Sequence, residues 1–189
     1  MKIWAPLAAV AIVALAGCGG DDRPEAAARP ADLSEVEAVF GPDLAELGLR
    51  LTERGGVVDP DDGYAASSSA DHLSLYVKPI GDHSRAQYVE GILDTARLLA
   101  PAIFERWSAI ETFDVCQEPA AIVGEDPNAA ALTRLDMTRA QVEAIEWDTV
   151  TLPAFLDLAS ERSEEGVELF VERSIRETDA FQSALADAG

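Results

Sequence analysis

The segment from residue 73 to residue 107 constrains the fold more than any other part of the chain. It begins with a strict alternation of apolar and polar side chains, which predicts a strand with one buried face. The alternating residues are Leu73, Ser74, Leu75, Tyr76, Val77 and Lys78. A capping-box pattern, Ser84-Arg85-Ala86-Gln87, then predicts the start of a helix. Apolar residues recur after it every three or four positions, as in a helix that buries one face; they are Val89, Ile92, Ala96, Leu99, Ile103 and Trp107. Pro101 should kink this helix or divide it in two, because proline removes a helical hydrogen bond.

The chain before this segment is predicted to form a short helix and a hairpin. The helix begins near Ser34 and is interrupted by Gly41-Pro42. A period of two over residues 47–52 then predicts a strand. Gly55-Gly56 predicts a turn, and Val57-Val58 starts the return strand.

The rest of the chain continues to mix strands and helices. The further predicted strands are 113–116, 132–137 and 167–175, where a strand fits slightly better than a helix. The further predicted helices begin at Thr138, at Thr151 and at Thr178 or Asp179. Strands in hairpin-like pairs with interspersed helices favour the α+β class, with a mostly antiparallel sheet and helices packed on one face. The sequence contains no internal repeat.

The first 17 residues differ from everything that follows. Met1 and Lys2 form a short positive start, and an uncharged, mainly apolar run extends from Ile3 to Ala16. This is the plan of a secretory signal peptide. The run is shorter than the roughly 20 apolar residues that cross a bilayer comfortably, so a permanent membrane-spanning helix is the weaker interpretation.

The apolar run ends in Leu15-Ala16-Gly17-Cys18. This stretch resembles the lipobox of bacterial lipoproteins, and the resemblance covers about the first 20 residues. It implies cleavage just before Cys18, a diacylglycerol on the sulfur and commonly a fatty acyl chain, such as palmitate, on the new amino group. Two or more acyl chains make membrane anchoring effectively stable. An ordinary signal peptide with a chance cysteine is the alternative.

Three regions are therefore expected: a signal peptide (1–17), a lipidated cysteine with a flexible tether (18–31) and a single α+β domain (32–189). The tether contains glycine, proline and alanine without apolar periodicity. Fully extended, its 13 residues after the cysteine would span at most about 43 Å.

Charge argues against one class of partner. The chain carries 35 Asp plus Glu against 14 Lys plus Arg, a formal net charge of −21. This field repels phosphates, so a nucleic-acid partner is not expected. The expected partners are the membrane, through the anchor, and an envelope protein or an apolar ligand.

The cysteines and histidines are few. If Cys18 carries lipid, Cys116 lacks an intrachain partner; we interpret it as a small buried side chain, with a nucleophile or an intermolecular disulfide as alternatives. A Cys–His–Asp arrangement would need the fold to bring Cys116 beside His72 or His83. Those histidines flank the central strand, some 30 Å apart at the usual rise, so they are not expected to share a metal.

Other possible sites have simpler interpretations. Residues 59–63 lack the register of an EF-hand, and the acidic stretch 157–168 is expected to be a solvated face rather than a weak Ca²⁺ site. Trp107 belongs to the predicted core, whereas Trp147 could sit in the wall of a groove. No catalytic, metal or cofactor motif is present in the sequence.

Two functions remain open from the sequence. The first is a non-enzymatic binding or interaction module of the cell envelope, lipid-anchored outside the cytoplasm, for which Trp147 and Cys116 are the weak candidates as ligand-contacting residues. The alternative is an anchored hydrolase acting on envelope polymers or lipids, using carboxylates or Cys116.

Overall fold

The computed structural model describes residues 28–58, 71–120, 131–160 and 167–187. Its strands are β1 (Leu49–Leu51), β2 (Gly56–Val58), β3 (Asp71–Pro79), β4 (Ile110–Gln117), β5 (Thr133–Thr138) and β6 (Glu168–Val171). Its helices are α1 (Leu33–Glu46), α2 (Arg85–Arg106), α3 (Arg139–Ala144), α4 (Leu152–Ser160), α5 (Arg173–Arg176) and α6 (Asp179–Ala186). The predicted α+β class, with a mostly antiparallel sheet and helices on one face, is confirmed. In the described ranges, no helix is both long and apolar enough to cross a membrane.

One six-stranded sheet organises the domain, in the order β1-β3-β4-β5-β6, with β2 also paired to β3. The pair β3–β4 is parallel and the other pairs are antiparallel. Parallel neighbours need a crossover connection, and α2 provides it. This helix contacts β4 and β5 as well as the other five helices, so it is the centre of the helical layer.

The predicted hairpin at residues 47–58 is wrong. Both β1 and β2 pair antiparallel with β3, at Leu51–Val77 and Val57–Leu73, so they are two parts of one edge strand. Gly55 lies between them where the chain approaches β3 closely: a Cβ atom there would lie 2.5 Å from the backbone oxygen of Ser74. The glycine pair therefore permits close approach and does not reverse the chain.

The start of the first strand also needs correction. Leu47 caps the C-terminus of α1 and does not belong to β1. Gly48 follows it with φ of 71°, the left-handed conformation that glycine adopts most readily after a helix. The strand can therefore begin only at Leu49.

The predicted interruption of the first helix at Gly41-Pro42 is wrong as well. Helix α1 continues to Glu46, because Val36, Phe40 and Leu44 form one buried stripe that extends beyond the proline. Pro42 and Ala38 are exposed, so water can hydrogen-bond to the carbonyl that the proline leaves without a donor.

Helix α2 is likewise undivided at Pro101. Leu99 and Ile103 are fully buried on either side of the proline. Full burial of each such side chain stabilises by about 1.5–3 kcal/mol, which together matches or exceeds the roughly 3 kcal/mol that an interior proline costs. The predicted capping box at Ser84 is present.

An arginine at the start of α3, directly after β5, holds the C-terminal end of α2. The Arg139 guanidinium donates to the backbone carbonyls of Phe104 (2.7 Å), Trp107 (3.0 Å) and Ile110 (2.7 Å). The last carbonyls of a helix have no intrahelical donor, and this side chain supplies one. Phe113 on β4 packs edge-on against the Phe104 ring, 5.7 Å between centroids.

The C-terminal prediction is correct in part. A strand was expected over 167–175, but β6 ends at Val171. Ile175, which is buried, lies in the short helix α5, where the apolar period changes from two to four.

Candidate functional site

The clearest concave site is a cavity of about 160 Å³ beneath the first half of α2. It lies between α2, the junction of α1 and β1, and the end of β4. Leu47 and Leu49 form its apolar wall, and Tyr88 and Gln117 contribute polar atoms. Small-molecule sites in proteins typically combine an apolar lining with a few placed polar groups.

The floor of this cavity is polar although it lies in the layer between sheet and helices. Gln117 and Thr95 are 3% and 1% exposed and both line the cavity. The Gln117 amide donates weakly to the Thr95 hydroxyl (3.4 Å), and its Oε1 accepts from Thr133 (2.9 Å). Three hydrogen-bonded side chains therefore link β5 to α2. They are polar at buried positions, where an apolar side chain would avoid the free-energy cost of removing polar groups from water.

A glycine inside α2 makes room for that floor. Gly91 lines the cavity in the middle of the helix, where glycine costs about 1 kcal/mol relative to alanine. A Cβ atom at this position would lie 3.0 Å from Gln117 Nε2. A helix-interior glycine and two buried polar residues thus break local preferences at one place, and such departures cluster at functional sites.

An aromatic pair forms another part of the wall. His83 and Tyr88 pack edge to face, with ring centroids 5.8 Å apart. The Tyr88 hydroxyl donates to the Glu118 carbonyl (3.2 Å) and accepts from the Ala120 amide (2.8 Å). His83 Nδ1 is buried and has no hydrogen-bond partner in the part of the chain that the structure describes.

Acidic side chains lie at the mouth of the cavity. Glu90 and Asp94 are exposed on α2 and line the opening. No Lys or Arg is among the described residues that line it. The site therefore has a negative edge above a neutral polar floor.

A second cluster, with Asp114 at its centre, occupies the sheet face on which the described residues place no helix. This carboxylate is 4% exposed. Its Oδ1 lies 2.6 Å from His72 Nε2, and its Oδ2 accepts from Ser74 (3.2 Å) and from the Cys116 thiol (3.4 Å). On the far side of the imidazole, His72 Nδ1 lies 2.9 Å from the Thr112 hydroxyl.

The order of groups in this cluster decides what it can do. A nucleophilic Cys–His–Asp set needs the imidazole between thiol and carboxylate, so that the imidazole can take the thiol proton. Here the Asp114 carboxylate lies between Cys116 and His72. Burial, together with the negative charge of Asp114, raises the pKa of the Cys116 thiol to about 12. The thiol is thus protonated at neutral pH and is a poor nucleophile.

Arg134 and Asp136 extend the cluster along β5. The guanidinium donates to Asp136 at 2.6 Å and lies 3.8 Å from Asp114 Oδ2. Burial raises the pKa of Asp136, although the Arg134 charge partly offsets this effect. Burial likewise raises the pKa of Tyr76, with smaller contributions from Cys116 and Asp114. The carboxylates are therefore internally paired, as in a structural network.

A second depression, of about 270 Å³, lies between α4, β6 and α6. It is apolar except for Arg176, whose guanidinium donates to the Val171 carbonyl at 2.8 Å. Its lining thus offers little convergence of polar groups, which makes the cavity beneath α2 the better candidate for a specific ligand.

The structure separates the two histidines that the sequence suggested. His72 lies in the Asp114 cluster, and His83 lines the cavity on the helix side of the sheet. Cys116 is buried, as expected, in the Asp114 cluster. Trp147 is half-buried, packs 6.0 Å from the Phe155 ring and donates to the Val142 carbonyl at 2.9 Å. Neither Cys116 nor Trp147 is among the described residues lining the cavity.

Other predicted features lie outside the described residues. These are Cys18 with its signal peptide, most of the tether, the 59–63 loop and the central part of the acidic stretch at 157–168. Within the described ranges, no group of three or more His, Cys, Asp or Glu side chains could hold a metal ion.

Sequence reasoning missed the cavity floor, although two signals were present. Gly91 lies inside a predicted helix, where glycine is unfavourable. Gln117 follows a strand pattern at a position that faces the helices. No protein-family model, curated protein sequence or solved structure matches the chain.

Proposed function

We propose that the protein is an extracytoplasmic lipoprotein, anchored to the cell membrane through Cys18, whose folded domain binds a small ligand without chemical conversion. The observation that carries the binding function is the convergence of buried Gln117, buried Thr95 and helix-interior Gly91 on one cavity. The anchor rests on the lipobox-like Leu15-Ala16-Gly17-Cys18.

The alternative of an anchored hydrolase has less support. Cys116 would have to act as a thiolate, yet burial and the adjacent Asp114 keep it protonated. The carboxylates around it are paired with His72 and Arg134 and are not aimed into the cavity. A binding domain is the function that these contacts favour over a hydrolase.

The anchor is tested on the protein as the cell makes it. Mass spectrometry of the native N-terminus should find the chain beginning at residue 18 with acyl mass on the cysteine. The Cys18→Ser protein should lack that mass. It should either keep its first 17 residues or no longer be found in the membrane fraction. A native chain that washes off membranes freely, or carries no acyl group, would refute this part of the proposal.

The binding function is tested by thermal unfolding of the full chain in neutral detergent. The probes are cationic, neutral and anionic fragments, each of about six heavy atoms. A compound that binds only the folded state raises Tm. The matched variant is Gly91→Val, whose side chain would enter the cavity from α2, with folding checked by circular dichroism. If no fragment of any charge raises Tm, or if each rise survives Gly91→Val, the cavity is not a binding site.

A further inference from the structure

We infer that the cavity beneath α2 takes a small organic cation with a short hydrocarbon body. This inference rests on the proposed binding function and adds the chemical class of the ligand. Two features carry it: the charge at the mouth and the apolar surface of the wall.

The charge at the mouth favours a cation. Glu90 and Asp94 stand one helical turn apart on α2, and both line the opening. Arg97 lies 3.5 Å from Asp94 and offsets part of one charge, but it does not line the cavity. The chain's net charge of −21 adds a long-range field of the same sign. An anionic ligand would be repelled both by the two carboxylates at the mouth and by the net charge of the chain.

The apolar surface sets the rest of the ligand. Leu47 and Leu49 line the side that adjoins β1, and the buried Tyr88 ring lies beside them. A bare metal ion gains nothing from such a wall, whereas a short alkyl chain removes it from water. The volume of about 160 Å³ is close to that of an engineered cavity of roughly 150 Å³ that binds benzene. A ligand of about six heavy atoms therefore fits.

The test is calorimetric titration of the full chain in neutral detergent with four probes. Three have nearly the same shape: n-butylammonium, 1-butanol and butyrate. The fourth is CaCl₂, which presents a metal ion alone. We expect n-butylammonium to bind at least about tenfold more tightly than the others, and its affinity to fall as salt is raised.

Variants assign the effect to the cavity. Glu90→Gln and Asp94→Asn should each weaken n-butylammonium binding roughly threefold to fivefold, as expected for exposed ion pairs. The matched control is Glu105→Gln, an exposed carboxylate near the other end of α2, which should leave the affinity unchanged.

The outcomes separate the inference from the function beneath it. If 1-butanol or butyrate binds as tightly as n-butylammonium and Gly91→Val abolishes that binding, the site stands but the cationic class is refuted. Binding of Ca²⁺ alone, or loss of affinity in Glu105→Gln equal to that in Glu90→Gln, also refutes it. If none of the four probes binds, the inference fails, and the fragment series with Gly91→Val decides the binding function separately.

Discussion

The hydroxyl of Thr133 on β5 donates to the side-chain oxygen of Gln117 on β4, at 2.9 Å, with both residues 3% exposed. The bond crosses two strands at a registered pair, Gln117 opposite Thr133. It holds the amide in the orientation that directs its nitrogen toward Thr95 and the cavity. The polar floor therefore depends on a residue that does not itself line the cavity.

Thr133→Val should destabilise the domain by about 1–3 kcal/mol, because the isosteric side chain leaves a buried Gln117 oxygen without its donor. The measurement is urea unfolding followed by circular dichroism. Thr149→Val is the control, since that hydroxyl is exposed, and such surface changes stay within about 0.5 kcal/mol.

A double variant gives the second check on this bond. Combining Thr133→Val with Gln117→Met replaces both partners by apolar groups and should recover part of the loss. A Thr133→Val variant as stable as Thr149→Val would show that the buried bond contributes nothing to folding.

Gly55→Ala should destabilise the domain by about 1–3 kcal/mol, as overpacking does at a tight contact. An added Cβ would lie 2.5 Å from the Ser74 oxygen, and backbone can yield only by moving β3. Gly56→Ala is the matched control, because a Cβ there meets nothing within 4 Å. Equal unfolding free energies for the two variants would contradict the close approach of the edge strand to β3.

Much of the fold could be predicted because local patterns and tertiary burial agree. The alternation at Leu73–Val77 and the capping boxes at Ser84 and Thr138 describe local geometry that the structure keeps. The class followed from the order of these elements. Helix–sheet layering then required one face of each to be apolar, which the sequence displays directly.

The predictions were wrong where the structural role of a residue depends on tertiary contacts. Pro42 normally ends a helix, but Leu44 beyond it is fully buried, and this burial keeps the turn helical. Gly55 suggested a turn, but its role is set by Ser74, nineteen positions later in the chain. Nothing local distinguishes these cases.

The candidate site was hidden for the same reason. Gly91 and Gln117 acquire their relation only when α2 crosses β4. The sequence allowed a Cys–His–Asp arrangement at Cys116 but did not single out Asp114 as its carboxylate. The contact of these groups depends on the parallel register of β3 and β4. That register places Ser74 opposite Asp114, and His72 two residues earlier on the same face. The order of thiol, carboxylate and imidazole could not be read from spacing.

The raised pKa of Cys116 makes the domain lose stability in alkali. The thiol has a pKa of about 12 in the folded state against an ordinary value of 9.0. Below about pH 9 it is protonated in both states, so its full contribution to stability is present. Between about pH 9 and 12 the unfolded thiol ionises first, and stability falls by up to roughly 1.4 kcal/mol per pH unit.

This slope is isolated by comparison with Cys116→Ala. Urea unfolding of both chains at several pH values should show their stability difference shrinking as pH rises through this window. Both chains keep the same tyrosines, arginines and Cys18, so most of their titration cancels. Tyr76 is an exception, because the charge of Cys116 contributes to its raised pKa. A difference that stays constant from neutral pH to pH 11 would exclude a raised thiol pKa.

Asp114→Asn should lower the pKa of Cys116 while leaving it above 9.0. Burial is the largest cause of the raised pKa and persists in the variant, whereas the charge of Asp114, the next largest, is removed. The thiolate absorbance of the folded protein in the ultraviolet should then appear at lower pH than in the unchanged chain.

Asp136→Asn is the matched control, because the charge of Asp136 is the smallest of the causes of the raised Cys116 pKa and its removal should shift the absorbance least. Arg134→Met should act in the opposite direction, because the positive guanidinium stabilises the thiolate. An equal shift for Asp114→Asn and Asp136→Asn would contradict the placement of the Asp114 carboxylate between the thiol and His72, since a carboxylate in contact with the sulfur should affect the thiol pKa more than one that does not contact it.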